Sequence, residues 1–264
     1  MEHGDGTGVD AGALGKLPSG VALSWGIVKQ SRRGPKGELS IKKIVDAAIE
    51  IADRDGLAAV SMSRVAQSLG FTTMSLYRYI TSKDDLLTLM QDAVCDIPIP
   101  PEEAGKPWRE EMKEYVWACV GVFRDHSWYG DISIKSVPLT PGNLQVVDWM
   151  LRIMRDFPLN DFEKMSFLLL ISSYSRACGL IMRDVIRAEK EGISHEAFSG
   201  VGFGDALKQL VTRERFPDLY PILMSGAYTD EADNPINNDL EFGLERILDG
   251  IEHYLQQKQS AASK

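Results

Sequence analysis

Cysteine and histidine are scarce in this sequence. The three cysteines, Cys95, Cys119 and Cys178, are far apart and form no C-x-x-C pair. That excludes a disulfide framework and a cysteine-based zinc site, and predicts buried thiols in the reducing cytoplasm. The four histidines, His3, His126, His195 and His253, include no two that are three or four residues apart. A helical metal pair is therefore missing, and neither a metal nor a cofactor is expected. Long apolar runs are absent as well. "FLLLIS" at 167–172 is typical, against the ~20 residues that cross a bilayer. The first residues lack a basic start followed by an apolar core, which predicts no secretory leader. No G-x-S-x-G occurs, "GPKGELS" lacks the Gly-Lys-Ser/Thr of a phosphate loop, and "GVGFG" at 200–204 follows no strand. Carboxylates are abundant, but no pair is marked out for acid–base work. These absences argue against an enzyme.

An overall basic excess is also lacking, since the net charge is −9. The distribution is more informative than the total. Residues 29–91 carry ten Lys/Arg against seven Asp/Glu, a balance of +3. Residues 92–264 carry eighteen against twenty-eight, a balance of −10. A basic segment joined to an acidic one is the asymmetry of a DNA-reading head on a regulatory body.

What is present is helical. Residues 1–39 are rich in glycine and polar residues and read mostly as a flexible extension. "LSWGIV" at 23–28 stands out, with apolar residues able to dock locally or on a partner. Ser40 then opens a helix with a stripe of Ile41, Ile44, Val45, Ala48, Ile49 and Ala52, stopped at Gly56. Ser61 or Ser63 caps a second, short helix that ends at Gly70. Ser82 caps another, with Asp84 and Asp85 in the first turn, where the helix dipole favours negative charge. Four longer helices are predicted over 107–126, 142–157, from Asn160 or Asp161 to about Glu191, and over 238–257. One or two shorter ones lie between His195 and Ala232. The expected fold is all-α: an extension over 1–39, a three-helix head over 40–96, and a helical bundle over 97–264.

The stretch "GFTTMSLYRYITSK", 70–83, has strand-like propensity. It lies between two marked helices, and no partner strand is near to satisfy its backbone. As a helix capped by Thr72 or Thr73 it completes a helix-turn-helix. Its first turn would enter the major groove, where Thr72, Thr73 and Met74 meet base edges. Ser75, Arg78 and Tyr79 stay partly outside. Tyr77 is either core or, with Tyr79, a hydroxyl on phosphate. Lys83 offers a cation beside the amides of the next helix, and Ser61 and Ser63 can add phosphate contacts. Ahead of the head, "SRRGPKG" places Arg32, Arg33 and Lys36 in an arm suited to a minor groove.

The segment "IVDAAIEIADRDGLAAVSMSRVAQSLGFTTMSLYRYITSKDDLL" resembles the DNA-binding domain of the TetR family of bacterial transcriptional regulators. "FGLERILDGIE" near the end is similar to the closing helix of the branch related to the tetracycline repressor. Met74 stands where many members carry a small or polar residue. The resemblance implies that Tyr77, Tyr79 and Lys83 hold the DNA backbone, and that a small effector binds in the body. A ligand-responsive repressor on palindromic double-stranded DNA is the leading expectation. A ligand-independent regulator or activator, or a helical enzyme or adaptor, is the alternative. An apolar or aromatic effector would suit a lining drawn from Trp117, Phe123, Trp128 and Trp149, with Met150, Met154, Tyr174 and Met182. A head that reads two half-sites needs a homodimer. The expected interface lies on the long helix after Asn160, with small residues Ser172, Ser175 and Gly179, and on the helix over 238–257, with Gly243 and Gly250 beside an apolar stripe that includes Ile247, Ile251 and Tyr254.

Overall fold

Side chains start six of the helices by accepting a backbone N–H that the first turn leaves without a partner, and at the last of them Asn238 Oδ1 accepts from Glu241 N at 3.2 Å. Ser40 Oγ accepts from Lys43 N at 3.2 Å, Ser61 Oγ from Arg64 N at 3.2 Å, and Thr72 Oγ1 from Ser75 N at 3.3 Å. Ser82 Oγ accepts from Asp85 N at 3.0 Å. Asn160 and Glu163 form a reciprocal capping box, at 3.0 and 2.8 Å. The structure, a computed structural model, describes residues 11–27, 39–133, 139–193, 201–227 and 238–262. Among them no strand occurs.

In chain order the helices are α1 (Ala11–Leu14), α2 (Ser19–Ser24), α3 (Ile41–Asp55), α4 (Met62–Ser68), α5 (Thr73–Tyr77) and α6 (Lys83–Cys95). They continue as α7 (Trp108–Asp125), α8 (Pro141–Ile153), α9 (Asp161–Lys190), α10 (Gly204–Leu210), α11 (Leu219–Met224) and α12 (Asp239–Ala262). The chain divides into two units, Met1–Gly105 with Asp125–Arg152, and Lys106–Arg124 with Ile153–Lys264. This differs from a single expected cut after residue 96, because the segment after α7 packs with the head.

In the first unit α3, α4, α5 and α6 share a core of Ile44, Ala48, Val65, Leu76, Ile80, Leu86 and Met90, each fully or almost fully buried. Two aspartates tie later segments to this core. Asp53 Oδ1 on α3 accepts Trp128 Nε1 at 2.6 Å and lies 2.9 Å from His126 Nδ1. Asp92 Oδ1 on α6 accepts Gly142 N at 2.7 Å. A Cβ on Gly142 would stand 2.6 Å from Asp92 O, so glycine is what lets α8 begin there. Cys95 Sγ donates to Tyr129 Oη at 3.3 Å, and burial pushes this thiol up to about 11.

The extension is not uniformly a tail. Residues 19–27 form α2 and its closing turn, and Val21 and Ala22 are buried. "LSWGIV" docks locally up to Ile27, the last described residue of that stretch, by way of Trp25 Nε1 donating to Leu139 O at 2.7 Å.

The second unit is built on α9, α12 and most of α7. Its core holds Met112, Val116, Met154, Ile171, Leu244, Leu248 and Ile251. Arg109 on α7 reaches three carboxylates of α12: Glu245 at 2.6 Å, Asp249 at 2.8 Å and Glu252 at 2.9 Å. Lys113 also pairs with Glu245. Glu163 of α9 accepts from Lys258 Nζ and Tyr254 Oη of α12, both at 2.5 Å.

Two expectations change here. The residues marked for a partner mostly serve the subunit itself. Ser175 is buried and donates to Ile171 O at 2.9 Å. Gly179 faces the Phe123 ring, and Gly243 faces Tyr174, whose hydroxyl would lie 2.5 Å from a Cβ there. Ile251 is buried, and Tyr254 is held by Glu163. Small side chains permit close approach but do not specify which chain approaches. Ser172 and Ile247 are half-buried, and Gly250 is exposed with open space around it. The second change concerns length. Across 30 residues α9 is long and apolar enough to cross a membrane by composition, although no single run suggested it. Polar and small residues interrupt the runs without lowering the average enough.

Gly179→Ala should destabilise the protein by about 1–3 kcal/mol through overpacking against Phe123, read as a lowered Tm. Lys258, Tyr254 and the Asn160 N–H hold the Glu163 carboxyl down at about 2, from an ordinary 4.5. Glu163 therefore favours the folded state above about pH 4.5, and that contribution disappears as pH falls towards 2. Denaturant midpoints between pH 6 and pH 3 should fall less steeply in Glu163→Gln than in the wild type.

Candidate nucleic-acid interface

The head places its functional side chains by capping and burial together. The Ser61 cap begins α4, and Ser63 Oγ sits 3.2 Å from Ser61 Oγ. Gly70, at φ +75°, makes the turn that only glycine enters without strain. Thr72, rather than Thr73, caps α5, and its Oγ1 also lies 2.9 Å from Ser75 Oγ.

On α5 the inward residue Leu76 and, just beyond the helix, Ile80 are completely buried. That anchors the helix and turns its other side outward. Met74, in the first turn, is 72% exposed, and Tyr77 is 42% exposed. Thr72 and Arg78 are exposed, while Thr73, Ser75 and Tyr79 are half-buried. Tyr77 is thus at most partly core, which leaves its hydroxyl available. Lys83 is exposed at the first position of α6, next to the Ser82 cap. Neither Lys83 nor Arg78 forms an ion pair among the described residues, whereas Arg64 is held by Asp55 at 2.5 Å. The arm residues Arg32, Arg33 and Lys36 lie outside the described residues.

The chemistry of this surface is recognition. Hydroxyls and a thioether stand at the start of a protruding helix, with a cation and a phenol to one side. Threonine and methionine can meet base edges or a thymine methyl, and the lysine, serines and tyrosines can meet phosphate.

The residues expected to line an effector site fall in both units. Trp128, Trp149 and Met150 belong to the first and are buried. Trp117, Phe123, Met154, Tyr174 and Met182 belong to the second. Phe123 and Met154 are buried there, Trp117 and Met182 are half-buried, and Tyr174 donates its hydroxyl to Leu240 O. Arg176 lies 5.8 Å over the Phe123 ring. A separate open depression on α12 is lined by His253, Gln256, Gln257, Ser260 and Ala261, none of them expected from the sequence.

Sequence reasoning also missed a face of α9. Phe162, Met165 and Leu169 are 86%, 50% and 68% exposed. Their i, i+3, i+7 spacing was legible, but it is the same spacing that marks a buried stripe.

Comparison with known proteins agrees with this geometry. The family profile "Bacterial regulatory proteins, tetR family" matches residues 44–90, and "Tetracyclin repressor-like, C-terminal domain" matches residues 100–255. The transcriptional repressor DrrR1 of Streptomyces coeruleorubidus is 30% identical, with both chains covered completely. The apo structure of ActR from Streptomyces coelicolor is 27% identical, with a TM-score of 0.68 over 86% of this chain and 100% of that one. ActR in complex with actinorhodin is also 27% identical, with a TM-score of 0.67 over 83% of this chain and 99% of that one. The chain belongs to the TetR family of bacterial regulatory proteins, and it is a DNA-binding transcriptional repressor of the helix-turn-helix type and not an enzyme.

Proposed function

We propose that the protein acts in the cytoplasm as a homodimer that binds a palindromic operator and releases it when a small apolar or aromatic effector binds the helical body. The observation that carries the DNA half is the exposure of Met74 and Tyr77 on a helix whose other side is wholly buried. An apolar side chain 72% open at the tip of a recognition helix has no use in the isolated subunit. In a major groove it has base edges and methyl groups to cover. Thr72 and Thr73 share that role, and Ser61, Ser63, Tyr77, Tyr79 and Lys83 take the phosphates. Arg32, Arg33 and Lys36 would add minor-groove or phosphate contacts from the arm.

Lys83→Ala is expected to weaken binding to a duplex carrying the sequence upstream of the protein's own gene. The loss should be similar across sequences, and the slope of log K against log salt should shrink by about one. Met74→Ala should change sequence preference and leave the slope alone. A wild-type protein with no salt-sensitive DNA binding would sink the reading.

The dimer half rests on the apolar face of α9, with Phe162, Met165 and Leu169, and on Phe242 of α12, 44% exposed. Apolar side chains of this size cost least when a second copy covers them. Light scattering after size exclusion should give twice the chain mass for the wild type and a single mass for Leu169→Glu. Partition of the wild type into membranes instead would favour a bilayer as the cover for α9.

The effector half is supported by the solved complexes of ActR, one with actinorhodin and one with (S)-DNPA. A ligand that prefers the DNA-free conformation shifts the population by that preference alone.

A further inference from the structure

The N-terminal helix α2 is more than an ornament on the head. It lies against α6, the helix whose first residue is Lys83. Gly20 of α2 makes the contact close. A Cβ at that position would stand 2.9 Å from Thr88 Cβ and 3.0 Å from Asp85 Cα. Thr88 donates its hydroxyl to Asp84 O at 3.0 Å, and its Oγ1 would also lie 3.1 Å from that Cβ. Val21 and Ala22 are buried at this seat.

Asp85 is the polar centre of the contact. It is 6% exposed. Its carboxylate accepts from Ser19 Oγ on α2 and from Thr81 Oγ1 at 2.6 Å. Its own N–H donates to the Ser82 cap. Burial alone would raise the Asp85 carboxyl, yet the hydrogen bonds from Ser19, Thr81, Ser82 and the Gly20 backbone hold it below its ordinary range. The same residue therefore joins α2 to the turn 81–83 that carries the lysine. At its far end α2 is held again, by Trp25 on Leu139 O.

We propose that α2 is a brace of the DNA-reading head: seated on α6 through Gly20 and bonded to Asp85 through Ser19, it fixes the turn that presents Lys83 to phosphate. Asp85, Ser19 and Gly20 are positioning residues, since none of them need touch DNA. The inference rests on the reading of α5 and Lys83 as the DNA surface.

The test uses the full chain. Gly20→Leu should displace α2, Ser19→Ala should loosen it, and Ser19→Thr, which keeps the hydroxyl, should behave as the wild type. The first readout needs no DNA: hydrogen exchange of the amides over 81–88 should speed up in Gly20→Leu and, less, in Ser19→Ala. The second is binding to the upstream duplex at several salt concentrations. Gly20→Leu should bind roughly tenfold more weakly, with a salt slope smaller by about one, the signature of one lost phosphate contact. Ser19→Ala keeps the test open if Gly20→Leu folds poorly, and thermal melts separate the two effects. Unchanged exchange, or unchanged affinity and slope in variants whose exchange has risen, overturns the brace. Wild-type protein that binds no duplex overturns the DNA reading beneath it, while the exchange result still judges the packing.

Discussion

A helix of five residues has no stability of its own, because nucleation costs more than so few hydrogen bonds return. α5 exists because Leu76, with Ile80 just after it, is wholly buried and the helix packs on α4. Everything recognisable about the head follows from that constraint. Burial fixes the rotation of α5, rotation decides that Met74 and Tyr77 point outward, and the Thr72 cap decides where the helix begins. The surface proposed to read DNA is the remainder left when the inward residues have been satisfied.

The head in turn leans on segments outside it through three aspartates. Asp53 receives Trp128, Asp85 receives Ser19, and Asp92 receives Gly142 N. Each uses a carboxylate oxygen to hold a donor from a distant part of the chain. The acidic balance of the body has a comparable use within its own unit. Glu245, Asp249 and Glu252 gather around Arg109, so part of that negative charge is internally paired. Such networks contribute modestly when exposed, but they fix the register of α7 on α12.

Legibility followed the range of the interaction. Caps are local, and Ser40 and Ser82 were readable where they stand, with Ser61, Thr72 and Asn160 each one of two candidates. The helix-turn-helix was readable because strand pairing had no partner nearby. Contacts between distant segments were not. Gly20 looks like any glycine in a polar extension until Thr88 is placed against it. Gly179 and Gly243 were read as part of an interface with a second copy, and the groups that stand against them, Phe123 and Tyr174, belong to the same chain. The outward face of α9 shares its periodicity with an inward one, so spacing alone could not assign it.

The seating of α2 has a consequence for how the protein responds to its own abundance. A segment joined covalently to its seat meets it at an effective concentration set by the chain and not by the cell. Its occupancy is the same at ten copies as at ten thousand. Association of two subunits obeys mass action and fades on dilution. A repressor that used both would carry one head-ordering element indifferent to expression level and one that reports it.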